Sequence, residues 1–127
     1  MTSPLDHVQG VVCVDGTPVP ASEARVDALD RGFLYGDSAF EALRTYGRVP
    51  FRLREHLTRL AHSCERLRMR APDLDRIASD LDRAIEASGL EECYLRIVVT
   101  RGAGPIGIAQ ATISGGAVLI YALPLRL

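Results

Sequence analysis

The chain contains no lysine. All 15 basic residues are arginine, so the α-amino group of Met1 is the sole primary amine in the polypeptide. An excess of charge is also missing. The 15 basic residues face 16 acidic ones, for a net charge of −1, which gives no reason to expect a nucleic acid or an anionic membrane as partner. Cysteine is scarce: Cys13, Cys64 and Cys93 are odd in number and widely spaced, matching neither a disulfide framework nor a zinc pattern. His7, His56 and His62 are too scattered to suggest a metal site, and none is expected. No apolar run is long enough to span a bilayer. The first residues, Met1-Thr2-Ser3-Pro4-Leu5-Asp6, lack the basic-then-apolar pattern of a secretory signal. A cytoplasmic protein with reduced thiols is the expectation. The chain has no P-loop, dinucleotide glycine fingerprint, paired-histidine metal motif or nucleophile elbow.

What remains is 127 residues with 47% apolar and 24% charged content, enough for one domain with a buried core. Residues 8–14 and 17–20 flank Asp15-Gly16 as a hairpin, with Pro18 and Pro20 placing its second arm at an edge. Residues 21–31 read as a loop. Gly32 and Gly36 bracket Phe33-Leu34-Tyr35, which suits a tight turn. Residues 39–46 alternate, with Phe40, Ala42, Arg44 and Tyr46 on one face and Glu41, Leu43 and Thr45 on the other. After Gly47-Arg48, residues 49–53 return as a partner strand.

Two helices follow. Leu53, Leu57, Leu60, Cys64 and Leu67 form a buried stripe ending near Arg70-Ala71-Pro72, and Pro72 suits the first turn of the next helix. Leu74, Ile77, Leu81 and Ile85 form the second stripe, with Gly89 as its stop. Residues 93–101 alternate as a β-branched strand, a glycine-rich loop spans 102–108, and 117–122 form a last strand. The order of strands, helices and strands predicts an α+β fold: a mostly antiparallel sheet with two helices packed on it.

Several residues carry chemistry. Arg59 shares a helix face with His56, Ser63 and Arg66. A guanidinium fork holds a phosphate dianion well, although an arginine on an arbitrary helix is normally solvated. Tyr35 and Phe40 could wall a pocket or be core. Tyr94 and Arg96 share a strand face, where a phenol and a guanidinium can grip a carboxylate or simply lie at an exposed edge.

The stretch Tyr35-Gly36-Asp37-Ser38-Ala39-Phe40-Glu41, followed by Glu55-His56-Leu57-Thr58-Arg59-Leu60, resembles the class IV (fold type IV) pyridoxal-phosphate enzymes. That group holds branched-chain and D-amino-acid aminotransferases and aminodeoxychorismate lyase. The resemblance runs from about Val8 to Tyr121 and corresponds to the family's N-terminal small domain. It implies that Arg59 binds the phosphate of pyridoxal 5'-phosphate and that His56 positions the motif. It implies substrate contacts for Tyr35 and Phe40, one of them across a dimer, and carboxylate contacts for Tyr94 and Arg96. In Gly104-Pro105-Ile106-Gly107-Ile108, Ile106 and Ile108 stand where D-amino-acid aminotransferases carry Arg and His. Apolar residues there resemble the branched-chain enzymes, disfavour the D-specific reading, and suggest a homodimer that covers them.

The lysine that forms the Schiff base lies in the family's second domain. The expectation is therefore that residues 1–127 are one domain of a longer enzyme, inactive alone and with no catalytic residue of its own. The whole protein would transfer the amino group of an L-amino acid of branched-chain type to 2-oxoglutarate. Thr100-Arg101-Gly102-Ala103-Gly104 also resembles the loop of the lyase, which releases pyruvate and 4-aminobenzoate; Tyr94 counts against it. A third reading is a free-standing, non-catalytic small domain.

Overall fold

The computed structural model describes residues 3–107 and 116–126. Six strands form one sheet in the order β2-β1-β6-β5-β3-β4, with every neighbouring pair antiparallel. They are β1 (Val11–Val14), β2 (Thr17–Pro20), β3 (Ser38–Tyr46), β4 (Val49–Pro50), β5 (Cys93–Thr100) and β6 (Val118–Pro124). Among the described residues there are three α-helices: α1 (Arg31–Tyr35), α2 (Leu53–Arg66) and α3 (Leu74–Ser88). The two long ones cover one face of the sheet, α2 on β3 and α3 on β1 and β6. This is the expected α+β layer, with the short α1 added.

Strand alternation settles which side chains enter the core. Leu43 pairs with Leu95, and Ile97 with Ile120, all facing the helices and all buried. They meet Leu57, Leu60 and Cys64 of α2 and Ile77, Leu81, Ala84 and Ile85 of α3. Glu41 and Thr45 lie on the same inward face and are buried too. The opposite face carries Phe40, Ala42, Tyr94 and Arg96, and neither α2 nor α3 covers it.

Several boundaries differ from the sequence reading. The region around Gly32 is helical, because Asp30 Oδ1 accepts from Gly32 N at 2.7 Å and caps α1. Gly36 then ends it in the left-handed region at φ 68°. Gly32 serves close approach instead: a Cβ there would stand 2.7 Å from Thr100 Cγ2. The second correction is that β4 is only two residues long. Gly47 and Arg48 both have positive φ, making the tight hairpin turn, and Glu92 accepts from both their amides. Arg52, at φ 55°, then turns the chain directly into α2.

Third, α2 stops at Arg66. Arg68 adopts φ 55°, and Met69 N returns to Cys64 O at 2.9 Å. That turn swings Leu67 out to 39% exposure and puts Met69 in the core in its place. Last, Asp73 caps α3 by accepting from Arg76 N at 3.1 Å, so Pro72 precedes the helix and is not in its first turn. The β1 strand also starts later than residue 8, since Pro4–His7 form a 3-10 turn capped by Ser3.

These positions rank two leucines that periodicity alone treats alike. Leu60→Ala should lower stability by about 2–5 kcal/mol, because it opens a cavity in a fully buried site. Leu67→Ala should cost well under half as much. Urea denaturation of both variants measures the difference.

Candidate active site

Arg59 projects from the middle of α2, where the helix crosses β3. Its side chain is 68% exposed, yet one edge is fixed. Nε donates to Glu41 Oε1 and Oε2 at 3.1 and 2.9 Å, and Nη2 donates to Oε1 at 2.8 Å. Glu41 Oε1 also takes His56 Nδ1 at 2.7 Å. His56 and Arg59 are one turn apart on α2, so one carboxylate on an inward strand position can take both. Burial of Glu41 pushes its pKa up. The hydrogen bonds and charges of Arg59 and His56 outweigh that and hold the carboxyl below its ordinary value. The same pairing raises the pKa of Arg59.

On the other side of the sheet, Phe40, Arg96 and Tyr94 make a connected row. The Arg96 guanidinium carbon lies 4.0 Å from the Phe40 ring centroid, and Arg96 Nη1 donates to Tyr94 Oη at 3.3 Å. Stacking fixes the guanidinium plane while leaving it half-buried, within reach of a carboxylate. Phe40 is 52% exposed.

Tyr35 and Ile106 form a separate group. The Tyr35 hydroxyl accepts from Gly107 N at 3.1 Å, and the Arg31 guanidinium lies 4.6 Å over the Tyr35 ring while donating to Gly107 O. Ile106, next in the chain, is 73% exposed. Ile108 lies outside the described residues. The sequence candidates therefore fall in three places: Arg59 under the sheet, Phe40, Tyr94 and Arg96 over it, and Tyr35 with Ile106 at the α1 loop. Phe40 and Glu41 link the first two places, since they are adjacent on β3 and point to opposite faces. Among the described residues β4 pairs only with Thr45 and Tyr46, so the rest of β3 presents a free edge beside them. Among the described residues the wall is open and is not itself a pocket. A larger concavity of about 440 Å³, walled by Met69, Arg70, Arg76 and Arg101, lies elsewhere.

Two residues escaped the sequence reading. Glu41 was legible as a charged side chain on the core face of an alternating strand, which must find a partner. Asp37 was not, because Arg31 reaches it across a short helix that shows no sustained period, and Arg101 is 64 residues away. Arg31 Nε donates to Asp37 Oδ2 at 3.3 Å and Arg101 Nε at 2.6 Å. Arg101 also donates to the carbonyls of Leu67 and Arg68 at the end of α2. Burial raises the Asp37 pKa, but hydrogen bonds from Arg101 and Arg31 prevail and lower it.

Residues 38–127 match the family described as amino-transferase class IV. A Methanocaldococcus jannaschii protein assigned as a branched-chain-amino-acid aminotransferase is 31% identical over 115 residues, covering 90% of this chain and 40% of that protein. The crystal structure of the branched-chain amino acid aminotransferase of Escherichia coli superposes with TM-score 0.83 at 26% identity, over 92% of this chain and 41% of that one. The 4-amino-4-deoxychorismate lyase of Pseudomonas aeruginosa gives TM-score 0.72 at 34% identity, over 89% and 39%. D-alanine aminotransferases match as well. The chain belongs to the class IV aminotransferase family. It spans about two fifths of the length of these relatives.

A further branched-chain amino acid aminotransferase of the same fold is complexed with N-(5'-phosphopyridoxyl)-L-glutamate, a derivative of pyridoxal phosphate. The residues present here fit one part of a pyridoxal 5'-phosphate site. The Nε–Nη2 edge of Arg59 is spent on Glu41. Nη1 and the second N–H of Nη2 have no partner among the described residues and together can donate twice to a phosphate. The chain supplies no lysine amine. Among the described residues no cluster of metal-ligand type occurs, and no helix is long and apolar enough to cross a membrane.

Glu41 and Asp37 set an acid limit on the fold. Their pKa values are lowered from the ordinary 4.5 and 3.8. The stability they contribute is complete above those values and is lost as pH falls through the lower folded ones. Urea midpoints should therefore drop below about pH 4.5. Asp37→Asn should cost about 3 kcal/mol at pH 7, because it leaves the buried Arg31 and the partly buried Arg101 without their carboxylate, and should flatten the acid limb.

Proposed function

We propose that this chain is the small domain of a pyridoxal-phosphate aminotransferase acting on L-amino acids with apolar side chains, with 2-oxoglutarate as acceptor. The observation that carries the reading is the row of Phe40, Arg96 and Tyr94 on the sheet face opposite α2 and α3. Arg96 and Tyr94 orient the carboxylates of the two substrates, and Phe40 offers apolar contact to the amino-acid side chain. Tyr35 and the apolar Ile106 and Ile108 complete the apolar lining from the partner subunit of a homodimer, which covers the 73% exposed Ile106. Their apolar character favours an L-amino acid over a D-amino acid, since no cation is present at 106 or 108 to take the α-carboxylate.

Arg59 binds the cofactor phosphate through its open edge. When bound, the cofactor supplies the electron sink for amino-group transfer. The catalytic lysine comes from sequence beyond this chain, so residues 1–127 alone are inactive. Localisation in the cytoplasm accords with the three free cysteines.

The 34% identity to the lyase and the shared Thr100-Arg101-Gly102-Ala103-Gly104 run favour 4-aminobenzoate formation as the second reading. The protein isolated from its host should have an intact mass well above 13.8 kDa and should transaminate L-leucine, L-isoleucine or L-valine with 2-oxoglutarate. Arg96→Ala should reduce kcat/KM by roughly tenfold to a hundredfold, the loss expected for one charge-assisted pair. Turnover of D-alanine in place of these substrates refutes the proposal. Rescue of a 4-aminobenzoate auxotroph without transamination moves the assignment to the lyase. A native mass of 13.8 kDa leaves only a binding or partner-subunit role.

A further inference from the structure

We infer that Glu41 is the positioning residue for cofactor phosphate: it selects which edge of the Arg59 guanidinium faces the ligand. The inference deepens the proposed function and rests on it.

An exposed arginine on a helix samples many rotamers, and fixing it on binding sacrifices much of that freedom. Here the freedom is already removed. Arg59 rises from α2 at 68% exposure, but its Nε–Nη2 edge meets both oxygens of a carboxylate that is only 5% exposed. Glu41 cannot swing away, because its backbone is locked to β5 by strand pairing opposite Ile97. His56 Nδ1, at 2.7 Å, holds the same carboxylate from the preceding turn of α2. The guanidinium is planar, so fixing one edge fixes the direction of the other. The Nη1–Nη2 edge is thus set toward solvent before any ligand arrives.

A carboxylate beside a phosphate-binding cation looks counterproductive, since it cancels charge. The geometry resolves this. Glu41 is inward-facing on the core side of the sheet, and Arg59 stands between it and solvent. The phosphate meets hydrogen-bond donors first. Orientation is gained in exchange for some long-range attraction, which salt screens in any case.

The test is the ratio of dissociation constants for pyridoxal and pyridoxal 5'-phosphate, measured on the whole protein by absorbance titration. Wild type should prefer the phosphorylated form. Glu41→Gln keeps the shape but removes the charge, and should cut that preference about tenfold while pyridoxal itself binds as before. Arg59→Gln should abolish the preference. Adding Glu41→Gln to Arg59→Gln should then change nothing further, since the carboxylate acts through the guanidinium. Should Glu41→Gln fail to fold, His56→Ala loosens the carboxylate in place and should give a smaller loss of the same kind.

A merely structural Glu41 would weaken both ligands equally and add to the loss from Arg59→Gln; either result overturns the inference. A wild-type protein with no preference for the phosphorylated form overturns the functional reading beneath it. Retained preference in Glu41→Gln, with wild type still selective, overturns the inference alone.

Discussion

The fold turns on one carboxylate caught between two guanidinium groups, one buried and one partly buried. Asp37 stands at the start of β3 and receives Arg31 from α1 and Arg101 from the end of β5. Two cations against one anion would be unfavourable, but the surplus is spread onto carbonyls. Arg31 reaches Gly107 O, and Arg101 reaches Leu67 O and Arg68 O. Four pieces of chain that share no hydrophobic stripe are joined through this point: α1, the glycine-rich loop, the last turn of α2 and the β3–β5 ladder. Beside it, Asp30 caps α1 and accepts from Thr100 Oγ1 at 2.8 Å, while Thr100 Oγ1 accepts from Gly102 N. The loop that carries Ile106 is therefore anchored by buried polar groups and not by apolar packing.

The fold was largely legible because its signals are local and periodic. Alternation in residues 39–46 put Glu41 and Leu43 on one face, which is the inward one, and the i, i+3, i+4 spacing of Leu57, Leu60 and Cys64 marked the buried face of α2. The misses have local causes. Arg52 and Arg68 adopt left-handed conformations that arginine rarely takes, so nothing in their identity announces where α2 begins or ends. The α1 turn was hidden because, only five residues long and with two glycines nearby, it shows no sustained helical period.

The candidate residues stand out in the sequence, and their arrangement does not. Motif spacing picked out Arg59, Phe40, Tyr94 and Arg96. It could not say that Arg59 lies under the sheet and the others over it. That division follows from strand alternation at a single peptide, Phe40–Glu41, where one side chain rises to stack on Arg96 and the next descends to hold Arg59. A one-residue slip of β3 against β5 would exchange the two faces and destroy both arrangements at once. Seven consecutive register pairs between these strands resist that slip.

The free edge of β3 has another consequence. From Ala39 to Leu43, one row of backbone donors and acceptors has no strand partner among the described residues, and the exposed Phe40 and Val49 flank it. An edge of this kind is a template for any extended chain of matching length. A partner that pairs with this edge also acts as its guard. Without such cover the chain carries its own aggregation seed in the same strand that supplies Phe40 and Glu41.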